Sequence, residues 1–442
     1  MPLVRNSNEW KSFPIEQIKP YKRHPRIHNK RQIEKLKRLI RHFGQVIPVV
    51  VDRHRVLVDG HAVWTAMREL GSGEIAAVVV ANRRDPEIKA LRIALNRIPE
   101  DAGWDDERLR KELKTLVKLS FDLELTGFET VEIDRLLDVD LPKLNVTEDE
   151  EIPAPQQPAV TAAGEIWTCG RHRIGCGDAR NQGFIDMMNG GVRANMCFID
   201  PPYNLRIDGF VSGKGRIRHR EFVHGVGELS AEQFTAFLVD SLTVLQRFSA
   251  DAALIYSCMD WRHIFELITA GRRCGLELLN LCVWAKSNAG MGSLYRSQHE
   301  LICVFKAGGS RHINNVELGR HGRNRSNLWC YRGLNSFGAE RDELLVSHPT
   351  VKPVLLIADA IRDVTRRGDA VIDTFLGSGS TLIAAEETGR VCFGVDLDAL
   401  YVDVAVRRWQ NYTKRDALLA GTNTTFDEAA AARRARKMGN RR

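Results

Sequence analysis

Long apolar runs are missing from the sequence. None of its 442 residues lies in a stretch that approaches the roughly eighteen uninterrupted apolar residues of a membrane span. The first residues, MPLVRNSNEWKSF, lack the apolar core of a secretory signal. We therefore expect a soluble protein of the cytoplasm that has no membrane partner.

Cysteine is scarce and shows no paired spacing. The nine cysteines begin only at Cys169 and include no CxxC pair. Such a distribution favours neither a disulfide framework nor a metal site. We expect reduced, mostly buried thiols and no bound metal.

Positive charge is modest in total but clustered. The formal net charge is +8, and basic residues are concentrated at 19–31, 216–220, 320–325 and 433–442. Clusters of this kind are typical of polyanion binding, although each one alone could equally be a solvated face or a disordered end.

One segment, residues 142–163, divides the chain. It begins acidic, becomes rich in Pro, Gln and Ala, and has no period that could bury a face, which predicts a linker. Before it, β-branched runs and helical patterns predict a small α/β domain at 1–141. After it we predict a larger α/β domain at 164–418 and a basic, disordered tail at 419–442.

A β-turn-α-β unit of Rossmann type is predicted near the end of the larger domain. Strand 370–375 leads through a glycine-rich turn to helix 381–388 and strand 391–396. Gly377 and Gly379 allow the backbone to approach a ligand, and Asp396 could accept both hydroxyls of a ribose. The pattern indicates a nucleoside-containing cofactor, with a plain tight turn as the alternative.

A second pattern, Asp200-Pro201-Pro202-Tyr203, follows the apolar strand 194–199. The prolines fix φ and donate no N–H, so the acid and the ring are rigidly presented. Asp200 and the Pro201 carbonyl can together accept both hydrogens of an amino group, while Tyr203 can stack on the base that carries it. The alternative is an ordinary turn with a surface tyrosine.

The two patterns in this order resemble the DNA amino-methyltransferases in which the catalytic motif precedes the cofactor motif, often called the β arrangement. The segments at 164–178, 284–286, 298–305 and 348–353 also fit, so the resemblance covers nearly all of 164–412. It implies a Rossmann-like fold and the methyl donor S-adenosylmethionine. Asp396 in place of the commoner Glu, and Thr374 in place of Pro, are the departures.

The resemblance also implies roles for individual residues. Catalysis falls to the tetrad Asp200, Pro201, Pro202 and Tyr203. Cofactor binding falls to Phe375, Gly377, Gly379, Asp396, Thr350, Lys352 and Asp178. A short target-recognition region is expected at about 307–345. The candidates for contacts with DNA phosphates are Arg216, Arg218, Arg220, Arg320, Arg323 and Arg325.

The first domain has its own resemblance. Residues 19–26, 44–52 and 58–61 are similar to the amino-terminal domain of ParB-type partition proteins, an α/β fold. That family often continues with arginines after the Gly-His or Gly-Glu pair, whereas Ala62 and Val63 follow here, which puts nucleotide hydrolysis in doubt. We interpret the domain as an accessory module for DNA docking or assembly, and His61 as a buried, hydrogen-bonded histidine.

These features predict site-specific methylation of the N6 amino group of adenine in double-stranded DNA, by direct transfer after base flipping. Asp at the head of the tetrad favours adenine by analogy, with cytosine N4 as the alternative. Cytosine carbon 5 is disfavoured because no cysteine follows a proline. A ParB-like adaptor with an inactive methyltransferase domain and an RNA amino-methyltransferase are the competing functions. The recognition sequence, an accompanying restriction nuclease and a homodimeric state stay open.

Overall fold

A computed structural model describes residues 10–81, 83–119, 121–138, 152–205, 227–287, 289, 294–318, 325–331 and 351–439. The chain divides into two compact units, Met1–Asp140 and Leu141–Arg442. Each unit has its own sheet and its own core.

The first unit is a small α/β fold. Its described strands are β1 (Trp10–Pro14), β2 (Val49–Asp52), β3 (Leu57–Asp59) and β4 (Glu74–Val80). They form one sheet in the order β1-β4-β2-β3, in which only the β4/β2 pair is parallel. Alternate side chains of β2 and β4 point into a core that includes Val49, Val51 and Ile75. The predicted α/β class is confirmed for this unit.

Five α-helices of the first unit lie in the described residues. They are α1 (Lys30–Phe43), α2 (His61–Glu69), α3 (Asp85–Arg97), α4 (Asp106–Lys118) and α5 (Thr130–Asp138). The side chain of Asn29 caps α1 by accepting the N–H of Gln32 at 2.8 Å. Helices α4 and α5 pack around a separate small cluster that contains Leu113 and Ile133.

The second unit is built on one sheet of ten strands in the described residues. The strands are β5 (Ile166–Cys169), β6 (His172–Cys176), β7 (Ala194–Ile199), β8 (Ser249–Met259), β9 (Glu277–Ala285), β10 (His299–Lys306), β11 (Leu328–Cys330), β12 (Ala370–Asp373), β13 (Val391–Asp396) and β14 (Leu418–Leu419). Their order is β11-β9-β10-β8-β7-β12-β13-β6-β5-β14. The strands from β8 to β6 in this order run parallel. Antiparallel pairs flank them on both sides, and β11 at one edge runs parallel to β9.

Helices cover both faces of this sheet. They are α6 (Gln182–Asn189), α7 (Ala231–Phe248), α8 (Ile264–Arg273), α9 (Val354–Val364), α10 (Ser380–Thr388), α11 (Ala399–Thr413) and α12 (Phe426–Gly439). Separate apolar clusters line the two faces: α7 and α8 pack with Cys197 and Ile255, whereas α9 packs with Met196 and Val371.

The direction of chain travel reverses between β7 and β12. The chain leaves β12 through α10 for β13 on one side, and leaves β7 through α7 for β8 on the other. In a doubly wound sheet such a switch point opens a crevice at the carboxyl ends of the two strands. Asp200 and Asp373 stand at these ends. The predicted Rossmann-like class is confirmed, and this crevice is the expected place of the functional site.

The tail predicted as disordered differs from the structure. Residues 426–439 form α12, and Phe426 is fully buried, with its ring edge-on to Trp167 at 4.9 Å between centroids. Arg433 pairs with Glu165. The buried side chains of Phe426, Ala429 and Ala430 let this basic segment pack.

The end of the predicted linker is packed within the second unit. The backbone N–H groups of Val160 and Thr161 donate to the carboxylate of Asp403 on α11, at 2.5 and 2.9 Å. Both residues are buried. Removal of this carboxylate would leave buried N–H donors without an acceptor and would lower the free energy of unfolding, so the attachment is specific. The residues at 139–151 lie outside the described part of the chain.

The cysteines and the length of the helices can be compared with the sequence predictions. The nine cysteines are all described, and seven are buried, as predicted; Cys330 is exposed and Cys274 half-buried. Among the described residues, no helix is both long and apolar enough to cross a membrane.

Candidate active site

The tetrad Asp200-Pro201-Pro202-Tyr203 follows directly on β7. This strand lies between β12 and β8 and is almost wholly buried, which holds the start of the tetrad in place. Asn204 turns the chain after the tetrad at φ +53. Its side chain holds the turn by accepting the N–H groups of Gly227 at 3.1 Å and Leu229 at 3.2 Å. The tetrad is therefore anchored at both ends.

Charged side chains lie around the hydroxyl of Tyr203, and two of them, Glu300 and Lys352, are buried. We call this group the charge cluster; its members are Asp200, Tyr203, Lys286, Glu300 and Lys352. The hydroxyl of Tyr203 lies 2.6 Å from Oδ1 of Asp200 and 3.0 Å from Oε2 of Glu300. Nζ of Lys352 lies 2.5 Å from Oδ2 of Asp200 and 3.0 Å from Oε2 of Glu300. Lys286 pairs with the other oxygen of Glu300.

The charge cluster is electrically balanced, with two lysines and two carboxylates. Burial raises the pKa of Asp200, while Lys352 opposes that change. Burial acts in the same direction on Glu300, but Lys352 and Lys286 outweigh it and lower the pKa of this carboxyl to about 2. Burial lowers the pKa of Lys352, but Asp200 and Glu300 outweigh it and raise that pKa. Glu300 and Lys352 are thus held in their charged forms.

The glycine-rich turn joins β12 to α10. Gly377 and Gly379 have φ of +52 and +85, in the left-handed region that favours glycine. A Cβ on Gly379 would lie 2.9 Å from Cβ of Ala405, so the turn also packs closely on α11. Because α10 begins at Ser380, the free N–H groups of its first turn lie at this point.

Two aspartates brace the turn: Asp373 is buried and Asp396 is half-buried. Asp373 accepts the N–H of Phe375 at 3.0 Å and the hydroxyl of Thr381 at 2.6 Å. Asp396 accepts the N–H of Gly377 at 2.8 Å and the N–H of Asp398 at 2.9 Å. Burial raises the pKa of Asp373 to about 7 and that of Asp396 to about 6, against these hydrogen bonds.

One cleft of about 1360 Å³, partly open to solvent, joins the tetrad to the glycine-rich turn. The predicted site residues that line it are Asp178, Asp200, Pro201, Pro202, Tyr203, Lys352, Phe375, Gly377 and Asp396. Gly379 lies between the lining residues Ser378 and Ser380. The ring of Phe375 lies 6.2 Å from that of Phe237 on α7, and the Asp178 carboxylate pairs with Arg180 at 2.7 Å.

Lys352, which was assigned to the carboxylate of a cofactor, has partners within the protein, and the assignment stays a prediction. Its ammonium group has three N–H donors, and it lies within hydrogen-bond distance of Asp200, Glu300 and the Tyr203 hydroxyl, the last at 3.2 Å. Its side chain is 4% exposed. Lys352 therefore belongs to the charge cluster. Thr350, the other residue assigned to that carboxylate, lies outside the described residues.

Arg325, which was predicted to contact DNA phosphates, also has partners within the protein. Its guanidinium lies 2.9 Å from Asp359 and 2.7 Å from Asp363, and its side chain is mostly buried. Its role as a phosphate contact stays a prediction. The other predicted phosphate contacts, Arg216, Arg218, Arg220, Arg320 and Arg323, lie outside the described residues, as does most of the predicted target-recognition region.

Sequence reasoning gave no role to Lys286, Glu300 or Asp373. Lys286 and Glu300 stand within two segments that fit the resemblance, and Asp373 begins the glycine-rich pattern. The sequence signal that could have identified them is a charged residue within or directly after an otherwise apolar strand. In the first unit, His61 is buried and its Nε2 accepts the N–H of Tyr21 at 3.3 Å, as expected.

Comparisons with known proteins match three parts of the chain. Residues 194–407 match the DNA methylase family, 3–96 the ParB N-terminal domain and 107–163 the ParB-methyltransferase HTH domain. The last match covers the segment predicted as a linker.

Among individual proteins, the chain is 24% identical over 222 residues to the type II methyltransferase M2.DpnII of Streptococcus pneumoniae, covering 48% of this chain and 81% of that protein. The structure of TTHA0409, a DNA modification methylase from Thermus thermophilus complexed with S-adenosyl-L-methionine, aligns at 20% identity and a TM-score of 0.40. That alignment covers 57% of this chain and 100% of the other. The PvuII DNA methyltransferase, cytosine-N4-specific, aligns at 14% identity and a TM-score of 0.42, covering 59% and 91%.

Proposed function

Given that the chain carries an S-adenosylmethionine-dependent DNA methylase domain of the N6/N4 family, we propose that it methylates the N6 amino group of adenine in duplex DNA. One observation carries the proposal. Asp200 and Tyr203, which would hold the target, line the same cleft as Phe375, Gly377 and Asp396, which would hold the methyl donor. Direct transfer requires that the cofactor and the extruded base enter the same cleft.

The cofactor side of the cleft suits S-adenosylmethionine. Asp396 can accept hydroxyls of the ribose with the lone pairs that its two backbone partners leave free, and Phe375 offers an apolar wall. Asp178, Gly377 and Gly379 complete the proposed binding set. When bound, the cofactor supplies an electrophilic methyl group on a cationic sulfur.

On the target side, Asp200 and the carbonyl of Pro201 accept the two hydrogens of the amino group. Its lone pair is then directed at the methyl group, and orientation supplies much of the rate. The ring of Tyr203 stacks on the base, which offsets part of the few kcal/mol needed to extrude it from the duplex. No strong base is required, because the proton of the amine becomes acidic once nitrogen is methylated.

Adenine rather than cytosine is the proposed base because Asp200 heads the tetrad. Mass spectrometry of nucleosides from DNA treated with the purified chain distinguishes the two. We expect N6-methyladenine and no N4-methylcytosine. N4-methylcytosine in its place would overturn adenine but keep the enzyme class. Methylation of structured RNA and not of duplex DNA would overturn the DNA substrate.

The affinity for S-adenosylmethionine should fall in acid. The cofactor carries a positive sulfonium, so it favours ionised Asp373 and Asp396, whose pKa values burial raises to about 7 and about 6. Below these values a proton must leave before the cofactor binds. We expect Kd to rise about tenfold or more between pH 7.5 and pH 5.5. Calorimetric titration checks this, and a Kd that stays constant over the range would contradict it.

The matched variant for the pH series is Asp396→Asn. It keeps the size of the side chain but removes the group that titrates near pH 6, so the rise in Kd should become shallower at the acid end. The rise in Kd near pH 7 that comes from protonation of Asp373 should persist. An unchanged profile in this variant would exclude Asp396 as one of the titrating groups.

The roles of the ParB-like unit and of the basic segments are part of the same proposal. We infer that the first unit docks on DNA or supports assembly, and that Arg216, Arg218, Arg220, Arg320 and Arg323 contact phosphates. Because the proposed substrate is DNA, we expect the enzyme in the cytoplasm. A ParB-like adaptor without activity is the second candidate, favoured by the match at 3–96. It would bind DNA and leave it unmethylated.

A further inference from the structure

The hydroxyl of Tyr203 lies between two carboxylates. It is 2.6 Å from Oδ1 of Asp200 and 3.0 Å from Oε2 of Glu300. A tyrosine hydroxyl has one hydrogen and can donate it to only one of them at a time. In the described geometry the shorter bond goes to Asp200. Glu300 is thus a second acceptor, reached by rotating the hydrogen about the C–O bond without moving the ring.

Asp200 is engaged at both oxygens before any target arrives. Oδ1 accepts from Tyr203, and Oδ2 lies 2.5 Å from the ammonium of Lys352. Both donors draw negative charge from the carboxylate and weaken it as an acceptor for a third group. The amino group of the target needs such an acceptor. Methyl transfer should therefore be faster when one of the two donors releases Asp200.

Glu300 is placed to receive that donor and cannot compete for the target. It stands on β10, its side chain is 10% exposed against 20% for Asp200, and it does not line the cleft within the described residues. Two lysines keep it ionised. Its Oε2 lies 3.0 Å from the hydroxyl of Tyr203, so Glu300 can accept that hydrogen without any movement of the ring.

We propose that Glu300 is a positioning residue for methyl transfer: when the target amino group reaches Asp200, the hydroxyl of Tyr203 passes its hydrogen bond from Asp200 to Glu300. This exchange frees Oδ1 of Asp200 to accept from the amino group. Only hydrogen bonds change partner, and no proton leaves its oxygen. The inference rests on the proposed function and adds to it a residue that never touches substrate.

The test is a double-mutant cycle on the full-length chain with Glu300→Gln and Tyr203→Phe. Glutamine keeps the size of the side chain but lacks the charge that attracts the hydroxyl. We expect Glu300→Gln to slow the single-turnover rate of methyl transfer about 10-fold to 100-fold. The Kd values for S-adenosylmethionine and for DNA should stay within about twofold, because Glu300 contacts neither.

The second half of the cycle separates the exchange from a structural role. In the Tyr203→Phe background there is no hydroxyl to pass on, so Glu300→Gln should add a loss of less than about threefold. If Glu300→Gln slows the phenylalanine enzyme as much as the wild type, Glu300 acts through Lys352 or through packing, and the inference is overturned. An unchanged rate for Glu300→Gln in the wild-type background would also overturn it.

Glu277→Gln is the matched control. Glu277 lies at the far end of the neighbouring strand, where it pairs with Lys306 at 2.7 Å and is largely exposed. It should leave the rate unchanged. If Glu300→Gln unfolds the chain, Glu300→Asp, which retains the charge, takes its place in the Tyr203→Phe background. The single-turnover rate of the Tyr203→Phe enzyme should then be insensitive to Glu300→Asp. Methylation by the wild type is measured first, so failure of the proposed function is seen separately.

Discussion

Asp200→Ala should abolish methyl transfer while S-adenosylmethionine still binds. Alanine removes the acceptor that orients the amino group, and losses of about 10²-fold to 10³-fold are typical when one preorganised polar group is removed from a reacting centre. The proposed cofactor contacts on β12, β13 and the glycine-rich turn do not include this carboxylate. Single-turnover methylation and calorimetric titration of the cofactor measure the two effects.

The structure limits the damage that this substitution does to the fold. Lys352 loses one partner but keeps Glu300 at 3.0 Å, so its buried charge is not left alone. Asp186→Ala, at an exposed aspartate on α6, is the matched control and should keep full activity. Substantial activity in Asp200→Ala would refute the assignment of the tetrad. Loss of cofactor binding as well would indicate that the site has collapsed.

Gly379→Ala should weaken S-adenosylmethionine binding about 100-fold or more and destabilise the second unit. A non-glycine residue at φ +85 costs about 1–2 kcal/mol, and the new methyl would lie 2.9 Å from Cβ and 3.1 Å from Cα of Ala405. Relief of that contact moves the turn away from α11 at a further cost of about 1–3 kcal/mol. The turn forms one wall of the cofactor site, so both effects act there.

Thermal unfolding and cofactor titration measure the result against Gly421→Ala. Gly421 has φ +76, and a methyl group added there would meet nothing within 4 Å, so its replacement adds backbone strain without the contact. We expect a small loss of stability there and an unchanged Kd for the cofactor. Equal effects of the two variants would show that close packing at Gly379 has no role.

Sequence alone predicted the parts of the site that depend on local patterns. The strands at 194–199 and 391–396 have the predicted bounds, and the helix after the glycine-rich turn begins one residue early, at Ser380. Each is an apolar run ended by an acid or a glycine, a signal carried by neighbouring residues. The tetrad and the turn came from the same kind of signal.

The parts that sequence did not predict depend on contacts across long stretches of chain. Tyr203 is separated from Glu300 by 97 positions and from Lys352 by 149. No local pattern says which lysine meets which carboxylate, so Lys352 was assigned to the cofactor and Glu300 received no role. Likewise α12 looked like a disordered tail because its anchor, Phe426, packs on Trp167 far away in sequence.

The most direct test of the central claim is transfer of a tritium-labelled methyl group from S-adenosylmethionine to duplex DNA by the purified full-length chain. Because the cofactor side and the target side share one cleft, the account predicts label on DNA with the wild type and only background label with Asp200→Ala, although both proteins bind the cofactor. If the wild-type protein binds both S-adenosylmethionine and DNA but leaves the DNA unlabelled, the proposed methyl transfer is contradicted.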